Sequence, residues 1–418
     1  MPSSTPSRER ARFGGVAAPG KPLASLRHRD FRYLLGSTMA LQIGSWVQTI
    51  GQGWLVVNDL GGSATNLATV ALLRGASLVL LSPVGGYLAG KYERRKQLMF
   101  YTTGSAAVAV LLALLVATGH IEIWMVYVTA VLAGVVEALA GPIRNLLVFD
   151  SVGPDEMTNA VALNALGGNA MRVIGPAIGG ALIGLIGTEG TFEVQAGCLI
   201  LAVFLTSRLR PSFPEGGLPM SIWRSMGGGL AYVVRDRRML LIVTMAVLPS
   251  MLVYPYVTFL PVFAVEVLDS DQSAYAYLAA AVGLGSILGG ALVAIAADRA
   301  PMGLGMMWGC FLYCVCIALF SLSGNLWVAV AILAVAGIFH SIYSAFNAAL
   351  MQMKAAPEYR SRVVSLQTMT WGLTPFAGLL MGRMIDVWGV PPVVFGWMAV
   401  AAVLTLILTF ASSELRRI

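Results

Sequence analysis

Four ionisable residues sit in the middle of long apolar stretches of this sequence: Arg74, Glu137, Arg172 and His340. In hydrocarbon each such charge costs about 2.5–3.5 kcal/mol, so these groups face a cavity or a partner. Glu137 has two possible roles, a carboxylate that carries a proton or the fixed partner of an arginine. The stretches holding Glu137 and Arg172 follow each other closely, so an ion pair between them is expected. Arg74 and Arg172 can hold an ion pair, cap helix carbonyls or bind an anionic solute group. His340 can titrate or serve as hydrogen-bonded packing. Gln48 and Gln52 are four residues apart and Ser45 lies three before Gln48, which puts all three on one helix face. That polar stripe either lines an aqueous cavity or meets another helix. Arg383 and Asp386, one helical turn apart, are expected to pair with each other and with the helix interface.

Other chemistries are missing from the sequence. No GxxxxGK[ST] phosphate loop, HExxH pair or Cys/His cluster is present, so neither direct use of ATP nor a metal site nor an enzyme is expected. The four cysteines, Cys198, Cys310, Cys314 and Cys316, all lie in apolar stretches and read as small packing residues.

The elements that carry these residues follow from composition. Of 418 residues, 57% are hydrophobic and 11% charged, against roughly a quarter charged in soluble proteins. Most of the surface must therefore face lipid. A bilayer core needs roughly 20 apolar residues per helix. Stretches of that kind are found at 33–58, 65–89, 97–118, 122–146, 159–187, 191–208, 238–263, 274–297, 303–323, 326–350, 363–388 and 391–411. The runs are continuous, which excludes a β-barrel. The predicted fold is all-α and integral to the membrane, with twelve transmembrane helices.

Charge tests that count. Placing the amino terminus in the cytoplasm puts every one of the 27 basic residues on the inner side except Arg74, Arg172 and Arg383. The outer loops and helix ends hold Asp59, Glu122, Glu189, Glu193, Glu266, Asp269 and Asp271. A missed span would invert every later loop and destroy this asymmetry. Both termini are therefore expected inside a cytoplasmic membrane. Residues 1–32 read as an uncleaved basic tail and 412–418 as a second tail. The polar segment 209–237, with Pro211, Pro214, Pro219 and a Gly227–Gly229 run, divides 33–208 from 238–411. Its later part, 222–234, is expected along the membrane surface. The result is two pseudo-symmetric six-helix bundles with a solute site between them. Basic residues spread over short loops do not suit nucleic acid. The expected partners are a small-molecule solute and the lipid bilayer, and a monomer is expected.

The fifth span is rich in glycine. Gly175/Gly179 and Gly180/Gly184 are each four apart, with Pro176 among them, so each pair stacks on one face for close helix packing. Pro83, Pro249, Pro255, Pro261 and Pro375 mark further bends.

These stretches together resemble the major facilitator superfamily, in particular its twelve-span drug, macrolide and siderophore exporter branch. The resemblance rests on Gly85-Gly-Tyr-Leu-Ala-Gly-Lys-Tyr-Glu-Arg-Arg-Lys96, where Gly86, Lys91, Arg94, Arg95 and Lys96 match the family's loop motif. It also rests on Gly141-Pro-Ile-Arg144, Arg172-Val-Ile-Gly-Pro-Ala-Ile-Gly-Gly180 and Arg360-Ser-Arg-Val-Val-Ser365. The resemblance implies a gating role for Gly86, Lys91, Arg94 and Arg95, and export of a drug-like molecule driven by a proton gradient without a bound cofactor. Gly90 stands where the motif has an aspartate and Glu93 where it has a glycine. The alternatives are uptake or equilibration of a metabolite or lipid on the same fold, and a membrane sensor that moves nothing.

Overall fold

The computed structural model describes residues 23–152, 156–213, 233–296, 301–354 and 360–411. At some positions, Arg172 and 360–371 among them, it describes the backbone alone. The tails, the Gly227–Gly229 run and most of the 222–234 segment lie outside the described residues.

Among the described residues every long element is a helix. In chain order these are α1 (Arg29–Trp54), α2 (Ala64–Ala89), α3 (Arg94–Ala117), α4 (Ile123–Asp150), α5 (Met157–Ser207), α6 (Arg237–Leu252), α7 (Leu260–Glu266), α8 (Gln272–Ala296), α9 (Met302–Ser321), α10 (Leu326–Lys354), α11 (Arg360–Trp388) and α12 (Val390–Ala411). Nine described helical stretches are long and apolar enough to cross a membrane. Beyond these, α1, the first arm of α5 and α11 have the length but carry more polar residues, and with them the count is consistent with twelve crossings.

Two spans depart from single rods. α5 is continuous by hydrogen bonding but turns at Gly187, whose φ of 70° and ψ of −172° only glycine adopts readily. The sequence predicts a loop there, and one residue makes the turn instead. α6 and α7 form one crossing, interrupted by a 3₁₀ turn over Tyr254–Phe259. Pro255 and Pro261 fall at the starts of the 3₁₀ turn and of α7, where a missing N–H costs nothing.

Without a hydrophobic force between helices in lipid, close contact depends on missing side chains. A Cβ at Gly85 would strike the backbone of Ala138 and Leu139, and one at Gly134 the backbone of Arg74, so α2 lies directly on α4. Gly285, Gly289 and Gly337 bring α8 onto α10 in the same way. The glycine-rich second helix of each half thus does the same work twice.

The start of α1, the α2–α3 turn, the end of α12 and most of the described basic residues lie at one end of the helices, called here the basic end; the opposite end is the acidic end. Toward the acidic end α1–α5 and α6–α12 share one core, in which Ile50, Trp54 and Leu67 lie with Tyr256, Phe263, Tyr275 and Met381. Trp54 stacks on Tyr275 with ring centroids 6.0 Å apart. At the basic end Phe31, Leu98, Ile143 and Leu209 form a separate core belonging to the first helices alone. Leu80 (73% exposed) on α2 and Ile295 (80%) on α8 stand open there. Among the described residues the two helix groups are sealed together toward the acidic end.

One seal crosses between the helix groups. The Asp386 carboxylate near the end of α11 accepts hydrogen bonds from the Ala64 and Thr65 N–H groups, at 2.9 and 3.1 Å. It thereby caps the amino terminus of α2, where orphan donors and the helix dipole favour an anion. The expected Arg383–Asp386 pair does not form, because two orphan N–H groups across the seam are a better partner than an exposed neighbour. We predict that Asp386→Ala weakens this seal by about 1 kcal/mol. Amide hydrogen exchange at 64–67 should then run roughly fivefold faster, and Arg383→Ala should leave it unchanged.

Candidate functional site

Arg74 is the hub of a polar cluster inside the first helix group. Its Nη2 donates to Ser45 Oγ at 2.7 Å and to Glu137 Oε2 at 3.1 Å, and its Nη1 donates to Thr49 Oγ1 at 3.3 Å. Ser45 and Thr49 are one turn apart on α1, and Gly134 draws α4 against the Arg74 backbone. Three helices therefore meet at one guanidinium. The sequence expectation paired Glu137 with Arg172. The structure gives Glu137 to Arg74, because α2 rather than α5 lies along this face of α4; the Arg172 side chain lies outside the described residues.

The pair sits beside the junction of the two helix groups. Gly75, the next residue, is where α2 meets α11, and a Cβ there would come within 2.7 Å of the Pro375 ring. Four residues on, Val79 touches Gly372 of α11. Arg74 is thus one residue of helix from the contact between the two helix groups.

A cavity of about 210 Å³ opens next to the pair, between α1, α3, α4 and the second arm of α5. Glu137, Arg74 and Arg144 supply its charges, and Gln42, Gln48 and Gln195 its amides. Leu41, Val108, Leu112, Leu132 and Leu199 supply apolar wall. Gln48 lines this cavity, as one of the two sequence alternatives expects, and it makes no hydrogen bond to a described residue. Gln52, on the same stripe, is buried and donates instead to Thr129 Oγ1 at 3.3 Å, tying α1 to α4. Arg144 and Gln195 were not singled out as site residues. Gln195 is 2% exposed with its Oε1 unpartnered; its only sequence signal is being an amide inside the sixth span. His340 lies in the second helix group between the Tyr254 and Tyr313 rings, at 6.0 and 5.2 Å, and does not line this cavity.

The basic loop after α2 braces its own helix group. Arg94 Nη1 donates to both oxygens of the Asp150 carboxylate, at 2.7 and 2.6 Å. Arg94 opposes the dipole at the start of α3 and Asp150 opposes it at the end of α4, and pairing relieves both. Ser212 also bonds Asp150, and its carbonyl accepts from the Arg94 N–H at 2.9 Å. Arg95 donates to the Ser207 carbonyl at 2.7 Å, and Lys96 pairs with Glu93 at 3.0 Å. Lys91 lies over the Tyr87 and Tyr92 rings, at 5.7 and 5.3 Å. At the turn's close helix approach the missing side chain of Gly85 admits α4.

The glycines of α5 serve two different neighbours. Gly175 and Gly179 face Trp46 and Ile50 of α1, within their own group. Gly180 and Gly184 face Ala276 of α8, across the junction. Buried Pro176 lies between the two faces. Among the described residues no cluster of His, Cys, Asp or Glu is placed to hold a metal ion, and the four cysteines are free thiols.

The model of the transmembrane secretion effector family, within the major facilitator superfamily, matches residues 20–417. The chain belongs to that family. Its members and structural neighbours are membrane transporters, and the chain is a multi-pass membrane protein of the major facilitator fold. The staphyloferrin A transporter of Staphylococcus aureus is 25% identical over 394 residues, covering 92% of this chain and 97% of the relative. The multidrug efflux pump Tap of Mycobacterium tuberculosis is 26% identical over 373 residues, covering 85% of this chain and 87% of the pump. Among solved structures, the nucleoside transporter NupG superposes with a TM-score of 0.67 at 15% identity, covering 92% of this chain and 98% of that one. These likenesses set the family and the fold; the Arg74–Glu137 cluster rests on this chain's own geometry.

Proposed function

We propose that this family member is a secondary transporter that exports a small amphipathic molecule in exchange for protons, with its basic end in the cytoplasm. The observation that carries the reading is the Arg74–Glu137 pair, held one residue from the α2–α11 junction in a structure whose helix groups are sealed together toward the acidic end. The positive-inside rule makes the basic end cytoplasmic, so the seal lies away from the side on which an exporter loads. Residues 33–208 and 238–411 act as two bundles that rock about the glycine seams, with 209–237 as the linker. Glu137 is the carboxylate that exchanges a proton. Ionised, it is held by Arg74; protonated, it releases the guanidinium to its hydroxyl partners Ser45 and Thr49 or to solute. Such alternation is how one half-exposed carboxylate couples two fluxes. Export is supported by the likeness to Tap, a multidrug efflux pump.

Flux into inside-out vesicles tests the proposal. A panel of amphipathic dyes and drugs should accumulate when the vesicle interior is acid, and an uncoupler should abolish the accumulation. Equal flux with and without the proton gradient would overturn antiport and favour facilitated movement.

A further inference from the structure

We propose that the cavity within the first helix group binds an elongated monocarboxylate, with its carboxylate at Arg144 and a neutral hydrogen-bond donor at Gln48 and Gln195. This names the solute class of the site and rests on the transporter reading above. The cavity is lined entirely by residues between Leu41 and Leu199, so the ligand would ride in one bundle.

Charge comes first. Arg74 and Glu137 neutralise each other at 3.1 Å. Arg144 lines the same cavity and forms no hydrogen bond or ion pair with a described residue; its electrostatic partner is that same Glu137. Two guanidiniums thus share one carboxylate, and the lining carries a net single positive charge in a poorly solvated space, which is costly until an anion arrives. One carboxylate balances it. A dianion would set its second charge against Glu137, which lies on the same helix face roughly 10 Å away, at seven residues of helix.

Position comes second. Arg144 lies toward the basic end, six residues before α4 finishes at Asp150. Gln48 and Gln195 lie toward the acidic end, six residues before α1 finishes at Trp54 and eight after the Gly187 turn. The buried Gln195 Oε1 lacks a donor, and a buried acceptor left in this state is costly enough to select a ligand that supplies one. Leucine and valine walls separate the two polar ends. The complement is an apolar body with a carboxylate at one end and a hydroxyl or N–H at the other.

The test uses the full chain in lipid nanodiscs and three probes of one shape: phloretate, a phenol joined to a propionate; hydrocinnamate, which lacks the hydroxyl; and tyramine, which replaces the carboxylate with an ammonium. Phloretate should bind saturably, hydrocinnamate roughly three- to tenfold more weakly, and tyramine not at all. Arg144→Gln should weaken phloretate at least about tenfold. Gln195→Leu, a change of similar volume, should weaken phloretate while leaving hydrocinnamate unchanged. Tyramine binding as tightly as phloretate, unchanged affinity in Arg144→Gln, or no saturable binding of either acid would each overturn the assignment. Gradient-driven dye flux in proteoliposomes of the same preparation separates the two readings. Flux without acid binding rejects the ligand class alone, and acid binding without flux rejects the transport proposal alone.

Discussion

Glu137→Gln is expected to abolish uphill accumulation of solute while leaving downhill exchange intact. Glutamine keeps the size of the side chain and an oxygen for Arg74, but it cannot gain and lose a proton. Gradient-driven flux should fall at least about tenfold, equivalent to about 1.4 kcal/mol in rate. A rival account makes Glu137 only the structural partner of Arg74, and stability separates the two. Removing one member of a fully buried pair costs about 3–5 kcal/mol. Here the side chains are 25% and 40% exposed, so solvent reduces the loss to about 1 kcal/mol. Combining Glu137→Gln with Arg74→Met should restore the melting temperature without restoring coupling. A double variant that regained gradient-driven flux would make the pair a brace and nothing more.

Gly180→Leu is expected to hold the acidic end apart. At this position a Cβ already comes within 2.7 Å of the Ala276 carbonyl oxygen and 3.3 Å of the Ala279 Cβ. Backbone cannot give way as a flexible side chain can, so the excess volume must separate α5 from α8. Overpacking of this kind costs about 1–3 kcal/mol, and because it acts only in the sealed state it shifts the equilibrium toward the opposite opening by roughly 5- to 150-fold. Spin labels on the α1–α2 and α7–α8 loops should report longer distances, and flux should be lost. Gly168→Ala, where an added Cβ meets nothing within 4 Å, should behave as the parent. Unchanged label distances in Gly180→Leu would mean that the junction opens elsewhere.

Much of the fold was legible because span length, apolar content and loop charge are local properties. The α5 glycines were legible for the same reason: spacing of four determines a shared face. Which neighbour that face meets is not local, and only the structure separates Gly175 and Gly179 on α1 from Gly180 and Gly184 on α8. Ion pairing across helices is hidden in the same manner. Closeness along the chain suggested Arg383 for Asp386, and nothing local pointed to Arg74 as a partner of Glu137. The acceptors and donors that matter are set by which helices touch, and Asp386 reaches N–H groups 322 and 321 residues away. Gln195 escaped notice because a single amide in a span does not reveal which way it faces. Gln48 and Gln52 share a stripe, yet only Gln48 reaches the cavity, since the face curves from open space into the contact with Thr129.

The contact of Arg94 with Asp150 and Ser212 bears on how the chain is made. The described residues that brace the basic end of the first helix group have all been synthesised by Ser212, before α6 begins at Arg237. The first group can finish its own core and lock its own loop while the second is still entering the bilayer. What then remains is a docking step between two inserted bodies, along faces stripped of side chains by Gly75, Gly180 and Gly372. Biogenesis is in this sense written into a serine at the start of the linker, which ends one folding unit before the next is synthesised.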